Sequence, residues 1–322
     1  MEAAAAGGHN ILLIGPPGSG KSMLAKRLPT ILPPMSRDEA LEATKIHSCA
    51  GMLTEEVPFI RNRVFRSPHH SLSTASLVGG GKIPAPGEIS LAHNGVLFLD
   101  EFPEFRKDAM EALRQPLEDR QVTITRTAGR VTYPSTFILV CAMNPCPCGY
   151  YGSRSEVHPC SCTQKAIHSY LEKISGPMLD RIDIQIEVPA LSFAELSETA
   201  PSEPSAEIRQ RVTAARQLAQ RRFRENGYAR ADSLCNGVME TEALRQFCAL
   251  DEDCTKVMED VFRKMQLSGR AYDRILRVAR TLADLEAIGG REESDGIIGG
   301  PIRKHHLLEA VQMRTLDRKY FG

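Results

Sequence analysis

Four short stretches of the chain are apolar at nearly every position: ILLI (11–14), VLFLD (96–100), TFILVCAM (136–143) and IDIQIEV (182–188). A strand with one face in water alternates apolar and polar residues. A continuous apolar run of this length predicts a strand covered on both faces, as in a parallel sheet. Between these runs the apolar spacing becomes helical and predicts helices over 21–28, 37–47, 107–118 and 164–174. Strands alternating with helices define an α/β class, a parallel sheet flanked by helices. Near residue 200 the pattern changes. PSEPS (201–205) reads as a linker, and only helical patterns follow it, over 206–225, 240–250, 254–267, 272–288 and 304–317. The glycine-rich GGREESDGIIGGP (289–301) separates the last two. The expected plan is an α/β core over 1–200 and an all-helical domain over 201–322, with no internal repeat.

Composition narrows the function only slightly. The 322 residues are 42% hydrophobic and 25% charged, as in a globular protein. Forty basic and forty acidic residues cancel, so bulk charge names no partner and any nucleic-acid site must come from local clustering. No run of apolar residues is long enough for a membrane span. MEAAAAGGHN carries neither the basic nor the apolar region of a signal peptide. Nine cysteines without such a signal point to a reducing, cytoplasmic compartment, where clustered cysteines mean metal before disulfide. Tryptophan is absent and aromatics are 6%, which disfavours a platform for stacking single-stranded bases. The first strand begins at Ile11, an abrupt start that leaves room for a missing N-terminal domain.

The first strand runs directly into GPPGSGKS, Gly15, Pro16, Pro17, Gly18, Ser19, Gly20, Lys21 and Ser22, which opens a helix. GxxxxGK[ST] in that context is a phosphate-binding loop. Backbone amides of residues 18–21 face the β-phosphate at a helix N-terminus, Lys21 bridges the β- and γ-phosphates, and Ser22 ligates Mg²⁺ of a bound ATP. VLFLDE ends in Asp100 and Glu101 at the C-terminal edge of a strand, where α/β sheets place ligands. Asp100 is expected to hold the Mg²⁺, and Glu101 to deprotonate the attacking water. Asn144, in CAMNP, ends the next buried strand and is placed to hold that water or the γ-phosphate.

This order of motifs, continued by SGPMLDRIDIQIEVP (175–189) and SGRAYDRILRVARTLADL (268–285), resembles the AAA+ ATPases with an insertion in their second helix, the clade of magnesium-chelatase subunits and minichromosome-maintenance helicases. GGHNILLIGPPGSGKSMLAKRLPTILPPM, FRSPHHS, NGVLFLDEFPEF and SGPMLDRID are similar to the YifB/ComM family nearly word for word, over essentially the whole chain. The family usually carries a Lon-protease-like fold in front. The resemblance implies a P-loop AAA+ core and a helical lid of the magnesium-chelatase C-terminal type. It makes Arg181, in LDRID, the arginine finger that reaches a neighbouring subunit's ATP. It makes Arg270 the sensor-2 arginine laid on the γ-phosphate, with Arg274 and Arg277 as alternatives on the same helix. A site completed by a neighbour implies a homo-oligomeric ring, a hexamer by the resemblance.

Two segments are candidates for gripping a polymer. QVTITRTAGRVTYPST (121–136) alternates on both sides of the turn TAG and predicts a two-stranded ribbon over 121–134, with Arg126 and Arg130 flanking the turn. In the helicase relatives a hairpin here points into the pore and contacts DNA; repeated arginines would bind phosphates without reading bases. Residues 49–94, with Arg61, Arg63, Arg66 and the turn-rich GGGKIPAPG, look like the helix-2 insertion. His69 and His70 in this segment are adjacent and read as loop residues rather than metal ligands.

CPCGYYGSRSEVHPCSC places Cys146, Cys148, Cys160 and Cys162 as CxC-x11-CxC. Four thiolates in two pairs suit a structural, tetrahedral Zn²⁺, although the one-residue gap is tighter than the usual two to four. His158 is a substitute ligand, and Cys49, Cys141, Cys235, Cys248 and Cys254 read as core or surface residues.

The function expected is an ATP-hydrolysing, Mg²⁺-dependent ring motor on DNA, a helicase or branch-migration activity in recombination or natural transformation. The rival is a protein-remodelling or chelatase-type ATPase pulling on a protein partner. Chelation itself is disfavoured, because no porphyrin site and no DxSxS metal motif is present.

Overall fold

The architecture is that of a computed structural model, in which residues 1–127, 129–152, 159–190, 203–288 and 298–321 are described. Strands β1 (Ile11–Ile14), β2 (Phe65–Arg66), β5 (Gly95–Leu99), β8 (Phe137–Met143) and β9 (Ile184–Glu187) form one sheet in the order β2-β5-β8-β1-β9, every neighbouring pair parallel. The four apolar runs are β1, β5, β8 and β9. β2 escapes the sequence pattern because it is only two half-buried residues long.

The sheet is covered on both faces, and side-chain alternation sorts its residues between them. Ile11, Leu13, Val96, Phe98, Val140 and Ala142 enter one core, and Leu12, Ile14, Leu97, Leu99, Cys141 and Met143 the other. Against the first face pack α1 (Glu2–Gly7), α2 (Lys21–Ile31) and the C-terminal helices α10 (Ser205–Glu225), α11 (Thr241–Phe247), α12 (Glu252–Met265), α13 (Gly269–Ile288) and α14 (Lys304–Gln312). The helical half therefore shares a continuous core with the sheet rather than forming a separate one. The second face is covered by α4 (Thr74–Val78), α5 (Glu88–Leu91), α6 (Lys107–Ala112), α7 (Arg114–Asp119), α8 (Gln164–Leu171) and α9 (Gly176–Leu179). α3 (Arg37–Cys49) starts with a capping box between Ser36 and Glu39. Among the described residues no helix is long and apolar enough to cross a membrane.

Three differences from the sequence pattern have local causes. α1 has no apolar periodicity, but alanine makes it thin: Ala3–Ala6 are buried, and Arg216 donates to the carbonyls of Ala5 and Ala6 at its C-terminal end. The single helix expected over 107–118 is two, α6 and α7, broken at Leu113. Pro116 has no N–H to give Ala112, and the ladder tightens there. α2 runs past Pro29 to Ile31 because Leu28 and Ile31 are buried beneath it. The linker residues Pro201 and Ser202 and loop residues 289–297 lie outside the described residues.

The helical half is tied together by buried charge. Arg222 Nη1 and Nη2 both donate to the Asp284 carboxylate at 2.7 Å, Asn236 Nδ2 donates to it at 2.7 Å and Arg280 Nε at 3.1 Å. Two guanidinium groups hold the Asp284 carboxyl below its ordinary range against the burial that raises it.

Candidate functional site: two ends of one sheet

Every strand of a parallel sheet points the same way, so residues following β1, β5 and β8 gather at one edge. The phosphate loop follows β1, and Gly15 N donates to Met143 O at 3.2 Å, beside the end of β8. Gly18 and Gly20 stand at φ +77° and +86°, and a Cβ on Gly18 would meet no atom within 4 Å, so backbone rather than side chain faces that space. A Cβ on Gly15 would lie 2.1 Å from Val188 O, which pins the loop's start against the end of β9. Lys21 is buried; its Nζ donates to Gly15 O (2.7 Å), Pro16 O (2.8 Å) and Asn144 Oδ1 (3.3 Å). Burial pulls its pKa down, and Asp100 opposes the shift. Ser22 Oγ donates to Asp100 Oδ2 at 2.7 Å. A hydroxyl and a carboxylate in contact at the mouth of a glycine nest are the hard oxygen donors that fit Mg²⁺ on a triphosphate.

Glu101 is half exposed, at φ +52°, a conformation a non-glycine residue holds only when its surroundings insist. Two contacts hold it: its N–H donates to Asp100 Oδ1 at 2.9 Å, and its carboxylate meets His70 Nδ1 at 2.9 Å. His70 rests edge-on to Phe105 and beside His69. Sequence reasoning passed over His70 as a loop residue. SPHH places it on the connection from β2 to α4, and only the adjacency of β2 and β5 brings that connection to the DE motif.

Arg181 and Arg270 are not here. Arg181 precedes β9, at the opposite edge of the sheet, and its guanidinium donates to Pro177 O (2.5 Å), Arg114 O (3.3 Å) and the Glu118 carboxylate. Burial lowers its pKa. Arg270 lies beside it, 3.8 Å from the same Glu118 carboxylate. The two share a cleft of about 260 Å³ with Arg120, Arg274 and Arg277, five guanidinium groups against the carboxylates of Glu118, Asp183 and Asp273. Arg274 is committed to Asp183, which is buried and also accepts from Asn10 N at 2.8 Å. Arg277 is half-buried, whereas the Arg270 side chain is 62% exposed. Arg270 is thus the most exposed of the three and the most loosely paired of those with a carboxylate partner. β8 alone, at seven residues, separates the two edges by roughly 20 Å at about 3.3 Å per residue.

The two candidate gripping segments come together. β6 (Gln121–Arg126) and β7 (Gly129–Pro134) are antiparallel, with Arg126 opposite Gly129 and both arginines exposed at the tip. Beside them lies a second hairpin, β3 (Gly79–Gly80) and β4 (Ala85–Pro86). Tyr133 donates to Pro84 O at 3.0 Å, and a Cβ on Gly80 would sit 3.1 Å from Arg126 Nη2. Of the basic residues in 49–94, Arg63 is bound to Glu39, Pro33 O and Asn94 O, and Arg66 to Glu88 at 2.6 and 2.7 Å, so both serve the fold.

Cys146, Cys148, Cys160 and Cys162 offer sulfur atoms all within 4.8 Å of one another. Cys146 Sγ is 3.3 Å from Cys148 Sγ and 3.8 Å from Cys160 Sγ, and the last two are 3.6 Å apart. A disulfide needs about 2.0 Å. Tetrahedral Zn²⁺ with Zn–S near 2.3 Å has sulfur–sulfur edges of about 3.8 Å, so the set fits Zn²⁺. Tyr151 N donates to Cys146 Sγ at 3.3 Å, the kind of outer contact that orients a thiolate. His158 lies outside the described residues. A second cluster, Glu286 with His305 and His306, does not fit a metal: His306 Nδ1 accepts from Arg303 N at 3.0 Å, which leaves the proton on Nε2, and Nε2 donates to Glu286 at 2.6 Å.

The description "Magnesium chelatase, subunit ChlI" matches residues 1–196, and "Magnesium chelatase, subunit ChlI C-terminal" matches residues 202–314. The chain is 46% identical over 319 residues to YifB of Escherichia coli K12 and 45% identical over 319 residues to YifB of Salmonella typhimurium LT2. It is 42% identical over 322 residues to the competence protein ComM of Haemophilus influenzae Rd. Each comparison covers 99% of this chain and 58% of the relative's length.

Proposed function

The chain belongs to the YifB/ComM family of magnesium-chelatase-like AAA+ proteins, and from that premise we propose that it is an ATP-hydrolysing subunit of a ring that moves on DNA. The observation that carries this reading is the division of the catalytic set between opposite edges of one sheet. Neither edge alone can bind a triphosphate, activate water and neutralise the charge that develops on the γ-phosphoryl group. A ring brings the arginine edge of one copy to the phosphate edge of the next.

In this reading the amides of 18–21 and Lys21 hold the β- and γ-phosphates, and Ser22 and Asp100 hold Mg²⁺. The bound Mg²⁺ supplies neutralisation of phosphate charge. Asn144 orients the water between itself and Lys21. Glu101 takes its proton as oxygen attacks phosphorus and ADP leaves, so ATP and water give ADP and phosphate. Arg181 and the exposed Arg270 of a neighbouring copy meet the transferring group. His70 is a positioning residue that sets the Glu101 carboxylate.

DNA is the favoured polymer because two hairpins lie side by side with Arg126 and Arg130 at one tip. Repeated around a ring, the tips make a phosphate-binding collar suited to helicase or branch-migration work on incoming or recombining DNA. One observation favours a protein-remodelling ring instead: the β3–β4 tip carries Ile83, 82% exposed, an apolar grip for an unfolded chain. The four cysteines are read as a structural Zn²⁺ centre.

Steady-state ATPase rates with forked, single-stranded and duplex DNA, and with an unfolded protein, test the assignment. Stimulation by DNA that disappears in Arg126→Ala/Arg130→Ala is the expected result. Indifference to DNA with stimulation by unfolded protein would transfer the hairpins to the remodelling reading.

A further inference from the structure

The cysteine loop touches the nucleotide site directly. It begins two residues beyond Asn144, and its first turn closes when Gly149 N donates to Cys146 O at 3.0 Å. Gly149 stands at φ +91°, and a Cβ there would lie 2.6 Å from Pro17 Cδ and 2.8 Å from Pro17 Cγ. The backbone of the turn therefore rests on the phosphate loop, closer than any side chain permits. Its other flank is braced as well. The Tyr151 ring meets Tyr320 edge-on at 6.3 Å, and Tyr320 donates to Glu187 at 3.0 Å, at the end of β9. Residues 146–151 are thus wedged between Pro17 and the C-terminal segment, with Asn144 leading into the wedge and contacting Lys21.

Four thiols supply little to hold such a wedge, since S–H is a weak donor and sulfur a weak acceptor. Four bare thiolates at these separations repel. A cation that draws all four together converts the loop into a rigid support.

We propose that the Cys146/Cys148/Cys160/Cys162 centre, loaded with a soft divalent cation of the Zn²⁺ type, is the support that holds the phosphate loop and Asn144 in their nucleotide-binding arrangement. ATP affinity then depends on the metal although the metal touches no nucleotide. This rests on the reading of the cysteines as a Zn²⁺ centre.

The test uses the full chain and three readouts: zinc per chain by elemental analysis, affinity for a fluorescent ATP analogue in excess Mg²⁺, and far-ultraviolet circular dichroism. One zinc per chain is expected. Stripping it with a zinc-selective chelator is expected to weaken nucleotide binding about tenfold or more with the dichroism retained, and Zn²⁺, not further Mg²⁺, restores it. Gly149→Ala keeps all four thiols and presses a methyl group on Pro17. It is expected to retain zinc and lose nucleotide affinity, and it decides the matter if the stripped protein unfolds. A folded chain without zinc that binds the analogue tightly overturns both the support and the metal centre. Zinc present, with affinity unchanged on its removal or in Gly149→Ala, overturns the support and leaves the metal centre standing.

Discussion

At the C-terminal ends of the strands, charges are matched locally: Lys21 against backbone carbonyls and Asn144, Ser22 against Asp100, Glu101 against His70. At the N-terminal ends, five guanidinium groups share a cleft with three carboxylates, and the most exposed of them, Arg270, holds its carboxylate only at 3.8 Å. The first edge is shaped to receive a polyanion among amide donors. The second keeps a surplus of cation with no polyanion of its own in reach. In the proposed ring the two edges are complementary half-sites, and the comparison teaches that this reading is to be tested between copies.

The largest expected effect breaks the comparison by mixing. Arg181→Ala is expected to lower kcat about a thousandfold, the order of an arginine contribution to phosphoryl transfer, while still binding ATP. Lys21→Ala loses binding. Mixed together, the two should recover activity in a titration of their ratio; recovery at no ratio would place Arg181 in its own subunit's site or in none.

The next is a pH limit on the arginine edge. His9 is fully buried; its Nε2 meets Thr281 Oγ1 at 2.7 Å and its Nδ1 faces Asp183 at 3.8 Å. Burial, helped by Arg277, Arg216 and Arg274 and opposed by Asp183, pulls its pKa from 6.5 to about 4. Between these values the unfolded chain takes up a proton that the folded chain refuses. Stability is therefore whole above pH 6.5 and falls as the pH drops toward 4, by about 3 kcal/mol in total. Urea midpoints at pH 7 and pH 4.5 measure it, and His9→Gln should flatten that part of the dependence.

The phosphate edge offers two smaller tests. Glu101→Gln is expected to cost about a hundredfold in kcat with the KM for ATP little changed, as for loss of a general base. Activity near that of the parent would remove Glu101 from the role. His70→Ala should cost about tenfold in kcat, and less in a Glu101→Gln background, because a positioning residue has no separate contribution once the group it positions is gone.

Much of this was legible beforehand, for particular reasons. GPPGSGKS is a local device: its glycines meet backbone demands within one turn, so the loop's geometry follows from spacing alone. The strands were legible because a sheet covered on both faces needs apolar residues throughout. β2 was not, since two half-buried residues leave no pattern. Neither was α1, whose alanines act by being small enough to slip between α2, α10 and α13.

The remainder was decided by which distant segments the sheet order sets side by side. Placing β5 beside β2 brings His70 to Glu101, and placing β9 beside β1 puts Arg181 and Asp183 at the edge away from Lys21. The fold of the helical half lays α13 along that same edge, so Arg270 joins Arg181 instead of the phosphate loop of its own chain. Local residue order carries the donors, acceptors and turn geometry of each motif. Distances between motifs depend on packing two faces of a sheet at once, which no short window of sequence contains.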